Sequence, residues 1–276
     1  MRIRFDWRVA LVMAACVTAT TIGPAHAQAI QTPGSGTPMP EAVTGDNRQP
    51  RWTTRPVFAE TDVYVLPKGV AAFVFSLRPT VPTSGAAATE SEYRAEFGLP
   101  ARFQLGLHAS GRTHGETAIG NIDAQAVGVR WAFAEWGRVW GNPAIHVEWR
   151  EASRGADVGS VKLLLGGGGA LGWRWGTNVA WTQEASAARE IERAWTAGVS
   201  YGARRIVSVG LETRLALTDR LMADPGARTA MTRQFLAGPS LQIRPVRQMY
   251  IDVAPLFGTT TGAPRSRTTL VAGWEF

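Results

Sequence analysis

His108, Ser110, His114 and Glu116 crowd into nine residues of a polar stretch, and a hydroxyl between two imidazoles with a carboxylate nearby is the raw material of nucleophilic hydrolysis. A serine nucleophile needs a base within hydrogen-bond reach, and that base needs its own orienting group. The segment reads Ser110-Gly-Arg-Thr-His114 and lacks the His-x-Ser arrangement of outer-membrane phospholipases. The expectation is therefore no catalytic set and no enzyme. His108 and His146 make a poor metal pair without a third ligand, so neither a metal nor a cofactor is expected. Gly166 to Gly172 contains a G-x-G-x-x-G match, but Trp173 to Val179 alternate like a strand instead of opening a helix. The dinucleotide reading fails for that reason. Glycine there fits tight strand approach and the curvature of a barrel wall.

The elements that must position these residues show a period of two. Val207, Val209, Leu211, Leu215 and Leu217 alternate with Ser208, Gly210, Glu212, Arg214 and Ala216. Val127, Val129, Trp131 and Phe133 alternate with Gly128 and Arg130, and Ile145, Val147 and Trp149 with His146, Glu148 and Arg150. One face of each strand is apolar and the other charged, and a slip of one residue would expose the charges to lipid. Twelve such segments, running from about residue 68 to Phe276, are joined by links that alternate between long and short. This predicts an all-β fold: a transmembrane, antiparallel, up-and-down β-barrel of about twelve strands whose last strand ends in Phe276. Phe97, Phe103, Phe133, Trp136, Trp140, Trp173, Trp175, Tyr201 and Trp274 fall near the short-turn ends. Phe75, Trp149, Trp181, Trp195, Phe235 and Phe257 fall near the long-loop ends, giving two interfacial belts.

Arg2, Arg4 and Arg8 precede the apolar run Val9 to Val17, and Ala25-His26-Ala27 has the pattern of a cleavage site. Residues 1–27 read as a signal peptide, residues 28–55 as a disordered periplasmic leader rich in Pro, Gly, Thr and Gln, and residues 56–276 as the barrel. The only cysteine, Cys16, lies in the first segment, so a disulfide framework is excluded. Losing Arg2, Arg4, Arg8 and Asp6 moves the formal charge from +7 to +5. The basic residues, almost all arginine, are scattered and form no basic face for nucleic acid. In the terminal strand Leu270, Ala272, Trp274 and Phe276 share a face, with Trp274 and Phe276 as the sorting signal read by the barrel-assembly machinery. The expected location is the outer membrane of a Gram-negative bacterium, in contact with phospholipid and lipopolysaccharide.

Leu66-Pro67-Lys68-Gly69, the run Glu96 to Leu107, Gly238 to Gln242, Asp252 to Gly258 and Gly273-Trp274-Glu275-Phe276 together resemble proteobacterial outer-membrane barrels of a transporter-like family. That family is grouped loosely with the barrels of aromatic-degradation pathways. The resemblance spans most of residues 60–276. It implies a fold and a membrane, and carries no ligand motif.

The inner face should hold both signs of charge. Arg94, Arg130, Glu148, Arg150, Arg174, Glu212, Arg214 and Asp252 are the pore candidates, because each faces inward near the middle of its strand. Eight strands enclose only side chains and about sixteen leave a wide aqueous channel, so twelve imply a narrow passage. The expected role is a narrow channel or transporter for small solutes. The alternatives are a plugged structural or surface-interaction barrel and, third, a hydrolase.

Overall fold

The computed structural model describes residues 43–54, 57–114, 122–168, 172–186, 189–202, 206–221 and 231–276. The segments read as signal peptide and as the first part of the leader lie outside the described residues. A two-residue pair of strands, β1 (Val43–Thr44) and β2 (Gln49–Pro50), comes first, followed by a 3₁₀ turn at Arg51–Thr54. Twelve long strands follow: β3 (Ala71–Val81), β4 (Ala88–Leu99), β5 (Phe103–His114), β6 (Ala124–Ala132), β7 (Ala144–Ala152) and β8 (Val158–Gly168). The second half comprises β9 (Trp173–Glu184), β10 (Arg189–Tyr201), β11 (Val207–Leu221), β12 (Thr232–Ile243), β13 (Met249–Gly258) and β14 (Ser266–Glu275). Each pairs antiparallel with its neighbours in sequence, and β14 pairs with β3, so the sheet closes as the periodicity predicts. Closure removes both free edges and lets the strands pair within the sheet, the only way strands can cross a bilayer.

The two faces separate as expected. Val127, Val129, Val147, Val179, Val209 and Leu211 are exposed on the outside, whereas Arg130, Asn178, Glu212, Gln242 and Asp252 are buried on the inside. An apolar exterior around a charged, buried interior is the surface pattern of a membrane-spanning barrel. The ring pairs Phe103–Trp131 and Trp173–Tyr201 tie neighbouring strands together near the short-turn end, and Trp140 in the link after β6 stands against Trp175 of β9.

Three sequence expectations change. Residues 43–54, assigned to the disordered leader, are packed: Trp52 is 4% exposed and Asn47, Gln49, Thr53 and Thr54 are buried. The link after β6 is longer than Glu135 to Val139, with strands ending at Ala132 and resuming at Ala144. Gly137, Gly141 and Asn142 adopt positive φ there, and Pro143 has no N–H to donate, so the ladder cannot continue. Trp136 leaves the interfacial belt. It turns inward and stands edge-on to Trp52 and Tyr64, with ring centroids 5.5 and 5.1 Å apart.

Val179 sits on the lipid face of β9 between Leu163 and Trp195 and is 58% exposed. Val179→Arg should destabilise the barrel by about 2–4 kcal/mol in urea titrations of the lipid-reconstituted protein, the expected cost of a guanidinium near mid-membrane.

Candidate functional site: the filled lumen

The interior is occupied by the chain's own segment between β1 and β3. This segment rises from the short-turn end to mid-barrel and returns, forming a finger described over residues 43–54 and 57–70. At its base the Trp136 N–H donates to the Asn47 carbonyl (3.1 Å), and the Tyr64 hydroxyl donates to the Ala134 carbonyl. The Gln49 amide donates to the Val65 carbonyl (2.8 Å), tying the outgoing limb to the returning one. The apolar side chains of Trp52, Val57, Phe58, Val63, Tyr64 and Val65 pack into one cluster with Ala132, Ala144 and Leu164 of the wall.

Glycines make the space for this. Gly166, Gly176 and Gly198 lie side by side on β8, β9 and β10 and leave a smooth channel on the inner face. A Cβ on Gly198 would lie 2.5 Å from Phe58 Cδ1, and one on Gly166 would lie 2.3 Å from Val63 Cγ1. Both separations are far inside van der Waals contact, so no side chain fits there while the finger is seated. Gly166 therefore does more than ease curvature: it is part of a groove that fits the finger.

The charged wall grips the finger along its backbone. Both Glu212 oxygens accept from it, one from the Ala59 N–H at 3.1 Å and the other from the Glu60 N–H at 2.8 Å. Asn178 does both jobs of a peptide group, accepting from the Asp62 N–H (2.9 Å) and donating to the Asp62 carbonyl (2.7 Å). Gln104 accepts from the Leu66 N–H at 2.8 Å. The Arg130 guanidinium donates to the Tyr64 carbonyl (2.7 Å) and approaches the Asp62 carboxylate at 3.2 Å; Lys162 reaches the second Asp62 oxygen at 2.9 Å. At the tip, Glu60 accepts from the Thr269 hydroxyl and faces Arg267 at 3.6 Å. Backbone groups that would be orphaned in a lumen thus find side-chain partners.

The eight pore candidates divide by height in the barrel. Arg130 and Glu212 bind the finger directly, and Arg174 lies over the Trp52 ring with Cζ 5.3 Å from its centroid. Arg94 lines a cavity of about 30 Å³ between the finger and the wall, room for a water molecule. Glu148, Arg150 and Arg214 are not in contact with the finger through any described bond. Glu148 pairs with Arg150 at 3.1 Å and with His108 Nδ1 at 2.9 Å, and Arg214 pairs with Glu192 at 2.6 Å. With Arg78 and Glu92, 2.9 Å apart, they form the charged wall of the half nearer the long loops. Asp252 is buried beside Gln242 on the neighbouring strand.

His108 and Ser110 share the inner face of β5, but the imidazole points the wrong way for a triad. Its Nδ1 faces Glu148 while its Nε2 is directed over Gly106, toward the short-turn end and away from Ser110. The His114 side chain lies outside the described residues.

Sequence reasoning missed the finger and, with it, Glu60, Asp62 and the gripping roles of Gln104, Lys162, Asn178 and Thr269. One signal was present: Val63-Tyr64-Val65-Leu66, an apolar run too short to cross a membrane and directly ahead of β3.

No known protein family and no curated protein matches the chain. Solved structures do. An outer-membrane channel from Pseudomonas putida F1 superposes with a TM-score of 0.55 at 10% identity, covering 80% of this chain and 99% of its own. The KdgM porin superposes at 0.50 with 7% identity, covering 74% and 99% respectively. At such identities the likeness establishes a shared fold.

The groove generates a direct test. Gly198→Val should expel Phe58 and free the finger, so that chymotrypsin supplied from the short-turn side cuts after Phe58 and Tyr64. The unsubstituted chain should resist cleavage at both positions under the same conditions.

Proposed function

We propose that the chain is an outer-membrane channel for small solutes whose lumen is gated by residues 43–70. The observation that carries this reading is the nature of the finger's grip. Its backbone is held by Gln104, Arg130, Asn178 and Glu212 and its two carboxylates by Arg130, Lys162 and Arg267, and water can replace every one of these partners. A permanent core would be served better by apolar residues, because replacing buried ion pairs with well-packed hydrophobic groups is often neutral or stabilising. A hydrophilic wall instead keeps its own solvation when the finger leaves. The bore it would expose is narrow and lined by charges of both signs, which set ion selectivity in such pores.

The solved neighbours support this reading, since their names are those of a channel and a porin. The link to aromatic-degradation barrels rests on the sequence resemblance alone and suggests small organic solutes. The surroundings would be phospholipid and lipopolysaccharide, with Trp274 and Phe276 offered to the assembly machinery. The role is passive passage and not catalysis. A sealed structural barrel is the second reading, and the tight fit of Phe58 over Gly198 favours it.

Conductance in a planar bilayer separates the two. The channel reading expects small or intermittent steps from the unsubstituted protein and larger, longer steps from a Glu60→Gln, Asp62→Asn double variant. The reversal potential should shift toward cation selectivity in Arg130→Glu or Arg174→Glu. A folded, heat-modifiable barrel that stays silent in all four forms would leave the structural reading standing.

A further inference from the structure

Along its returning limb the finger offers backbone groups to the wall at every second residue. The Glu60 N–H donates to Glu212 (2.8 Å), the Asp62 N–H and carbonyl pair with Asn178 (2.9 and 2.7 Å), the Tyr64 carbonyl accepts from Arg130 (2.7 Å) and the Leu66 N–H donates to Gln104 (2.8 Å). Contacts at residues 60, 62, 64 and 66 have the period of an extended chain, and main-chain bonds at that period are how an extended peptide is usually held. The partner is not a sheet edge, since closure leaves none. Four side chains, one each from β11, β9, β6 and β5, stand in for it. Asn178 both accepts and donates at a single residue, the exchange that a paired strand makes.

The side chains of the limb have separate seats. Glu60 meets the Thr269 hydroxyl and Arg267 at 3.6 Å, whereas Asp62 meets Arg130 at 3.2 Å and Lys162 at 2.9 Å. Two carboxylates two residues apart thus enter two different basic seats. Rings flank them: Phe58 lies over Gly198, and Tyr64 stands edge-on to Trp136. Thr61, between the carboxylates, is 2% exposed, and its hydroxyl has no hydrogen-bond partner among the described residues. The wall reads charge at 60 and 62, rings at 58 and 64, and no hydroxyl at 61.

This chemistry suits a peptide better than another polyanion. A sugar acid could fill the two basic seats, but the acceptor and donor of Asn178 are placed for the N–H and carbonyl of one residue. Glu212 is the sharper filter. It is buried, and both its oxygens accept from successive N–H groups of the limb, Ala59 and Glu60. A buried carboxylate facing an acidic ligand is tolerable only where that ligand brings donors to it. The finger enters from the short-turn end and returns there, so its own course is the path by which a ligand of this shape reaches mid-barrel once it has gone.

We propose that residues 57–66 occupy a peptide-binding site of the lumen, whose ligand is an extended acidic peptide carrying carboxylates at alternate residues with rings to either side. The site rests on the channel reading only in requiring that the finger can leave; binding and conduction are separate events. The finger is then a built-in competitor. Tethered to the wall, it reaches an effective concentration on the order of millimolar, so a free peptide binds only when the finger's own hold is weakened.

The test uses the full-length chain refolded in detergent and a fluorescein-labelled peptide with the sequence of residues 57–66, read by fluorescence anisotropy. Glu60→Lys with Asp62→Lys sets ammonium groups against Arg130, Lys162 and Arg267 and should evict the finger without touching the wall. Glu60→Gln with Asp62→Asn is the milder form and serves if the charge-reversed chain does not refold. The charge-reversed chain should bind the peptide saturably, about a hundredfold more tightly than the unsubstituted chain, and the milder form about tenfold more tightly. A scrambled peptide of the same composition should bind about tenfold more weakly, as should one with Gln and Asn at the acidic positions. Thr61→Val in the peptide should leave affinity equal or higher, since the hydroxyl it removes has no partner. Asn178→Leu in the wall should cost about tenfold for every peptide, because it reads backbone. Equal binding of ordered and scrambled peptides, equal binding of a uronic acid oligomer, or chymotrypsin cleavage after Phe58 without peptide binding would overturn the site. So would a charge-reversed finger that stays uncut, since seats that accept lysine do not read carboxylates. Peptide binding by a barrel silent in the bilayer would overturn conduction and keep the site; conduction without peptide binding would do the reverse.

Discussion

The Asp62 carboxylate, held between Arg130 and Lys162 while its own peptide group is held by Asn178, is the interaction on which the interior depends. A charge taken out of water must be paired, and its remaining hydrogen-bonding capacity must be met, or it costs several kcal/mol. Asp62 meets that demand with three residues from three strands, Arg130 of β6, Lys162 of β8 and Asn178 of β9. The same set of contacts fixes the height of the finger, places Tyr64 and Val63 against the alanine and glycine surface, and carries Glu60 up to β14. Moving Asp62 would move all of them.

A barrel that must show hydrocarbon to the membrane has only its inner face on which to keep charge. Here the inner charges serve two neighbourhoods. Around the finger they act as anchors for a backbone that has no strand partners. Above it, nearer the long loops, Arg78, Glu92, His108, Glu148 and Arg150 satisfy one another across β3, β4, β5 and β7. The first group exchanges partners if the finger departs, whereas the second stays paired. Gating by a finger is compatible with a stable wall because of this division.

Proline sets where the wall is soft. Ladder bonds are the main lateral cohesion of a membrane barrel, because the bilayer core offers the strand backbones no other hydrogen-bond partners. Pro239 on β12 stands opposite Pro255 on β13, and removing both donors at this one pair concentrates the loss at a single height. The finger tip lies at that height, reaching from Glu212 of β11 to Thr269 of β14. Filling the lumen and bracing the wall are thus done by the same few residues.

The sequence by itself determined the strands, their faces and the expectation of a closed barrel, because alternation is a local property: Val127, Val129 and Trp131 against Gly128 and Arg130 are enough to orient that segment. It also indicated inward-facing Arg130 and Glu212. It could not show what these residues touch. Their partners Glu60, Asp62 and Tyr64 are separated from them by 66 to 152 positions, and residues 43–66 have no period of their own to mark them as structured. Trp136 read as one more belt aromatic until the turn after β6 brought it under Trp52. The opposition of Pro239 and Pro255 depends on the register between two strands, which loop lengths leave free by a residue or two. Local periodicity makes a wall legible in one dimension; what fills it and where it yields are set by contacts that exist only once the sheet has closed.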